Sequence, residues 1–197
     1  SSTSRGLGDV YKRQVHSYAP GVPADLEAIE GSLVDIVRAS ARDYPDAPAL
    51  EFFGRETSYR ELNEQIERAA AGLAALGVGA GDPVAISLPN CPQHIVAFYA
   101  VLRLGAIVVE HNPLYTAGEL RKQFTDHRAH TAIVWNKVVG SVQEFAAELD
   151  VRAIVAVDVT RAMPLGTRLA LRLPLAKARA SRDALYAPCL LYTSDAA

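Results

Sequence analysis

The sequence predicts an α/β protein with a mostly parallel sheet and helices on both faces, and three observations carry that expectation. Short apolar runs alternate with stretches of helical periodicity from Val84 to Val157. The runs are short and near-continuously apolar, which is how strands buried on both faces read. Helices lie between them as crossovers, a connection that is nearly always right-handed. The architecture is expected to be incomplete, one portion of a larger sheet.

The elements follow in order. Val15 to Gly31 holds Pro20, Pro23 and two glycines with little periodicity, and reads as an extended lead-in. Ser32-Leu33-Val34-Asp35 matches a capping box. The helix it opens places Leu33, Ile36, Val37 and Tyr44 near one face and stops at Tyr44-Pro45. A hairpin comes next: Ala49 to Phe53 as a strand, Gly54-Arg55 as the turn and Glu56-Thr57 as a short return. Ser58-Tyr59-Arg60-Glu61 is a second capping box, and its helix repeats Leu62, Ile66, Ala69, Leu73 and Leu76 before Gly77 as the C-cap. Strands are expected at Val84–Leu88, Ile107–Val109, Thr131–Trp135 and Ala153–Val157, with helices at Gln93–Leu104, Ala117–His127 and near Val142–Leu149. Thr160 to Arg182 then carries Arg161, Arg168, Arg172, Lys177, Arg179 and Arg182 with interleaved leucines and no acidic residue. Such a segment is either a surface helix packed on its own domain or a peripheral contact with an anionic membrane through 161–182.

The ends of the chain read differently. Asp9-Val10-Tyr11-Lys12-Arg13-Gln14 can be encoded GAT GTG TAT AAG AGA CAG. The reverse complement, read one base out of frame, encodes Cys-Leu-Leu-Tyr-Thr-Ser, the residues at Cys189 to Ser194. That element resembles a transposon end used to tag DNA for sequencing. Residues 1–14 and 189–197 are therefore expected to be tag-derived, leaving 15–188 as the native region; two native tails are the alternative.

Half of the residues are hydrophobic and 21% are charged, the balance of a soluble globular chain. The native region is mildly acidic, which gives no reason to expect nucleic-acid binding. Cys91 is the single cysteine outside the tails, so a disulfide framework is not expected and a reducing cytoplasm fits. No apolar run approaches the roughly eighteen residues of a membrane span.

Candidate chemistry is sparse. Gly77-Val78-Gly79-Ala80-Gly81 follows a helix and precedes a strand, the reverse of the order a dinucleotide-binding loop needs, so it reads as a connector. Cys91 with His94, and His127 with His130, have ligand-like spacing but lack the further partners of a zinc site. No metal ligand and no catalytic residue is assigned. The loop after the Ile107–Val109 strand is the better candidate, because ligands in open α/β sheets bind beyond the carboxyl ends of strands. There His111, Asn112 and Tyr115 can line a pocket, or Asn112-Pro113 simply makes a turn with Tyr115 packed beneath it.

At these residues the chain resembles a known family. Thr57-Ser58-Tyr59-Arg60-Glu61-Leu62 is similar to the T-Y-x-E-L motif of adenylate-forming enzymes. Leu88 to Gln93, Tyr99 to Ala106 and Asn112-Pro113-Leu114-Tyr115-Thr116 follow in that family's order and spacing. Together they resemble bacterial long-chain fatty acid–CoA ligases, and the Arg/Leu-rich stretch after Asp158 looks like a feature of some actinobacterial members.

The resemblance implies a two-step ligation in the full-length parent. ATP activates a fatty carboxylate as acyl-adenylate, and coenzyme A then takes the acyl group, with Mg2+ assisting. The family's phosphate loop is a Gly-Thr-Thr-Gly run ending in Pro-Lys-Gly; Leu191-Tyr192-Thr193-Ser194 is followed here by Asp195-Ala196-Ala197, without those glycines or that lysine. The chain alone is therefore expected to be inactive and to bind none of these groups. Asn112, Pro113 and Tyr115 are carried over as rim residues of the substrate region. Two alternatives stand beside this one: an enzyme adenylating another acid or an amino acid, and a non-catalytic α/β binding module. The expected location is cytoplasmic, with peripheral membrane association through 161–182 as the alternative to a helix packed on its own domain.

Overall fold

A computed structural model describes residues 17–23 and 30–186. The chain falls into two compact units, Ser1–Ser32 and Leu33–Ala197. In the first, the lead-in turns back on itself where the Val22 amide donates to the Ala19 carbonyl at 3.1 Å. The expected tag-derived ends, 1–14 and 189–197, lie outside the described residues.

The second unit opens with helix α1 (Leu33–Asp43), directly after Ser32. Its buried residues are Val34 and Val37, while Leu33, Ile36 and Tyr44 are exposed. The expected apolar face is thus corrected: Val37 faces Leu62 and Ile66 of the next helix, and its expected companions lie off that contact. Strands β1 (Pro48–Phe52) and β2 (Arg55–Ser58) form an antiparallel hairpin in which Phe52 pairs with Arg55. Its two-residue turn is Phe53-Gly54, not Gly54-Arg55, with φ of 53° and 80°. A tight turn with positive φ at both central residues matches the twist of the strands, and glycine takes one of those positions without strain.

Ser58 caps helix α2 (Tyr59–Ala75) as the sequence predicts. The Glu61 amide donates to the Ser58 Oγ at 3.2 Å, and the Ser58 amide donates to Glu61 Oε2 at 3.0 Å. At the other end Gly77, with φ of 90°, donates to the Ala74 carbonyl, and Val78 donates to that of Leu73. Those two bonds close a Schellman motif and satisfy carbonyls the helix would otherwise leave open. The glycine-rich stretch is a connector: it leads from α2 into strand β3 (Pro83–Ser87), with Asp82 Oδ2 accepting from the Gly79 amide at 2.8 Å.

Helix α3 (Pro92–Arg103), strand β4 (Ile107–Glu110), helix α4 (Ala117–His127), strand β5 (Thr131–Trp135), helix α5 (Val139–Ala146) and strand β6 (Ala153–Val157) follow in strict alternation. Helix α5 begins about one turn earlier than its apolar spacing suggests, because Val139, Val142 and Phe145 are its buried residues. The four strands pair in parallel in the order β4-β3-β5-β6. Successive side chains alternate across such a sheet. Val84, Ile86 and Ile133 accordingly meet Leu73, Ala97 and Val101 of α2 and α3 on one face. On the other, Ala85, Ala132 and Val134 meet Leu120, Phe124, Val142 and Phe145 of α4 and α5.

After β6 comes a single 3-10 turn (Val159–Ala162), then helices α6 (Leu165–Ala170) and α7 (Ala176–Leu185). The expectation of a helix packed through an apolar face is corrected here. Neither α6 nor α7 buries a residue, and Leu165, Leu169, Leu173 and Leu175 are exposed. What holds α7 is polar: Trp135 Nε1 donates to the Leu185 carbonyl at 2.9 Å, and Lys137 Nζ to that of Asp183 at 2.9 Å. A cation and an indole N–H at the carbonyl end of a helix satisfy groups its own ladder leaves open.

Candidate functional site

Because the strands are parallel, their carboxyl ends share one edge of the sheet. The loops there begin at Leu88, His111, Asn136 and Asp158. The chain places β4 on one side of β3 and returns to place β5 on the other, so the winding reverses at β3. Open sheets of this kind bind ligands outside the carboxyl ends, next to such a reversal.

The β4 loop is built from the turn upward. Asn112 Oδ1 accepts from the Leu114 amide at 2.9 Å, and its carbonyl accepts from the Tyr115 amide at 3.1 Å. This side chain-to-backbone bond fixes the turn ahead of α4. Asn112 itself is exposed, Pro113 is half-buried, and Tyr115 packs partly against the α4–α5 core. Thr116 then caps α4 in a third capping box: its amide donates to Glu119 Oε2 at 2.9 Å and its Oγ1 accepts from the Glu119 amide at 3.4 Å.

A cavity of about 820 Å³ lies between this loop, the end of β4 and α4. Asn112 and Tyr115 line it together with His111, Gln123 and His127; Pro113 is not among its lining residues. Gln123 and His127 were not singled out for this pocket by sequence. A signal was present, since Glu119, Gln123 and His127 recur every four residues and so share one face of α4.

His111 sits at 6% exposure, with its ring stacked on Phe124 at 5.3 Å and tilted against His127 at 5.0 Å between centroids. Its Nδ1 bonds to Gln123 Oε1, so Nδ1 carries the proton and donates. His127 Nδ1 accepts from the Ala129 amide at 3.0 Å, which leaves its proton on Nε2. The Nε2 atoms of both rings are buried and make no hydrogen bond. Burial pushes His111 below the ordinary histidine value. Burial, then the nearby charge of His111, pushes His127 down to about 4. Both rings are therefore neutral at physiological pH, one offering a donor and the other an acceptor.

The two ligand-like pairs separate in the fold. His127 turns to His111, whereas His130 Nδ1 bonds to the Asp150 carbonyl at 2.8 Å. His94 Nε2 lies 2.9 Å from Glu110, a hydrogen bond that raises its pKa, while Cys91 is buried and burial pushes its thiol up. Residues fit for magnesium are missing among those described, where no cluster of three His, Cys, Asp or Glu side chains is gathered. Glu110 is engaged with His94 and Glu119 with the α4 cap.

A parallel four-stranded sheet covered by helices on both faces, with its winding reversed at β3, defines an α/β domain of the doubly wound kind. The family model for "AMP-binding enzyme" matches residues 37–194, and the chain belongs to that family. It is 37% identical over 116 residues to a long-chain-fatty-acid–CoA ligase of Bacillus subtilis, which is 59% of this chain and 21% of that protein. It is 40% identical over 105 residues to 4-coumarate–CoA ligase 3 of Oryza sativa subsp. japonica, covering 53% and 19% of the two chains. Among solved structures, a long-chain-fatty-acid–CoA ligase from Archaeoglobus fulgidus superposes with a TM-score of 0.64 at 25% identity, over 71% of this chain and 30% of that one. The chain thus spans about a fifth of the length of these two curated relatives.

Proposed function

We propose that the chain is the front portion of an ATP-dependent long-chain fatty acid–CoA ligase. In that reading the full-length parent converts a fatty carboxylate to an acyl-adenylate, releasing pyrophosphate, and passes the acyl group to coenzyme A. The family match across residues 37–194 carries the reading. The Bacillus relative, by its name, supports a fatty acid as the acid substrate. In this proposal Asn112, Pro113 and Tyr115 form the rim of the substrate region: Asn112 and Tyr115 line the pocket beyond β4, and Pro113 lies in the loop between them. The chain by itself is inactive, because it holds no Gly-Thr-Thr-Gly run ending in Pro-Lys-Gly to cradle phosphate.

The test is ATP–pyrophosphate exchange by the full-length gene product across fatty acids of graded length, with 4-coumarate as the competitor. Exchange that peaks with long chains supports the reading. A preference for 4-coumarate favours the second reading, an aryl acid–CoA ligase, to which the 40% identity with the rice protein points. Clear exchange by the 197-residue chain alone would refute the account of its inactivity.

A further inference from the structure

Beyond the pocket at β4, a second cavity of about 270 Å³ opens where the chain leaves β6. Arg161, Arg168, Arg172 and Arg182 line it with Tyr186, and Asp158 is the single carboxylate among its lining residues. That carboxylate is already used: Asp158 Oδ1 accepts from the Thr160 amide at 2.9 Å and from Thr160 Oγ1 at 2.6 Å. Its other oxygen stands 4.0 Å from Arg161. Arg182 meets the exposed Asp183 at 3.4 Å, and Arg168 and Arg172 form no ion pair among the described residues. Four guanidinium groups around one small cavity repel one another unless an anion joins them.

The cavity is also held in place from both sides. Gln93 Nε2 donates to the Asp158 carbonyl at 3.1 Å, fixing the end of β6 against α3. Trp135 and Lys137 at the end of β5 hold the carbonyl end of α7, the turn that carries Arg182. Arg168 and Arg172, four residues apart, are presented from α6 and the turn after it.

We propose that this arginine-lined cavity binds a phosphate group. A guanidinium offers paired N–H donors in a fixed fork, and a phosphate has enough oxygens to accept from several forks at once, whereas a carboxylate has two. The volume lies just below the range of about 300–1,000 Å³ that encloses whole small ligands. It accommodates one phosphate or diphosphate group, with the rest of its carrier outside. Two carriers share that chemistry: a soluble phosphate compound and a phospholipid headgroup. Exposed Leu165, Leu169 and Leu173 beside the arginines are placed to enter the acyl layer in the second case.

The test uses the 197-residue chain, with inorganic pyrophosphate in a calorimetric titration and flotation with vesicles of phosphatidylcholine, alone or mixed with phosphatidylglycerol. The comparison variant is Arg168→Gln/Arg172→Gln, checked for fold by circular dichroism. Since Arg172 is exposed, Arg172→Gln alone is the second variant if the double change disturbs α6. Lys177→Gln, outside the cavity lining, is the control for simple loss of positive charge. Saturable pyrophosphate binding that weakens at least tenfold in the arginine variant, and not in the lysine one, supports the site with a soluble carrier. Binding only to the phosphatidylglycerol vesicles, with the same tenfold loss, supports it with a lipid headgroup. No binding in either arm, or binding equally weakened by Lys177→Gln, overturns the proposal.

Discussion

Lowering the pH from about 7.5 to about 4.5 should destabilise this fold through one histidine. In the folded chain His127 is pushed down to about 4, against 6.5 for an ordinary histidine, by burial and by His111 beside it. Between those two values the unfolded chain holds a proton on His127 that the folded chain does not. The stability linked to neutral His127 is therefore complete above 6.5 and is lost as the pH falls through that window. Two pH units below 6.5 correspond to about 2.7 kcal/mol at full effect. The residue is only half-buried, and solvent screening brings this to about 1.4 kcal/mol. His111, also lowered by burial, acts in the same direction. His94, raised by Glu110, acts in the opposite one: its stabilisation is present below 6.5 and lost as the pH rises through its raised value. The assay that separates them is urea unfolding at the two pH values for the parent chain and for His127→Gln. With a urea dependence of about 2 kcal/mol per molar, the parent midpoint should fall by about 0.7 M more than that of the variant. Equal falls in the two proteins would refute the argument, because the burial of His127 would then carry no linkage.

Two further expectations concern the backbone. Ser58→Ala removes the acceptor for the Glu61 amide and should cost about 1 kcal/mol, read as a lower urea midpoint with an unchanged slope. Arg128 ends α4 at φ of 53°, a left-handed conformation that glycine adopts without strain, so Arg128→Gly should stabilise by roughly 0.5–1 kcal/mol; a lower melting temperature would contradict it.

Several features were legible because their physics is local. The capping box at Ser58, the glycine stop at Gly77, one residue past the Leu76 C-cap, and the bounds of Ala117–His127, Thr131–Trp135 and Ala153–Val157 each depend on residues within a turn or two of one another. The capping box at Thr116 obeys the same rule, and its T-x-x-E spelling was there to be read. The loop at Asn112 was placed beyond a strand end from periodicity alone, and its turn follows from a side chain that reaches two residues along the chain.

What the tertiary structure decided is everything that joins distant segments. Periodicity marks four parallel strands, but their order β4-β3-β5-β6 depends on which strands meet after each crossover. The face of α1 follows the same rule: several apolar residues share its surface, and the positions of α2, α3 and β1 select Val37 among them for burial. The spacing of His127 and His130 says nothing of the ring that His127 meets, which the fold sets as His111, sixteen residues earlier. Likewise, six basic residues spread over 161–182 do not say which four arginines will surround one cavity. Local hydrogen bonds and side-chain periods are written residue by residue, whereas strand order, buried faces and clustered charges exist only once the packing of remote elements has chosen among them.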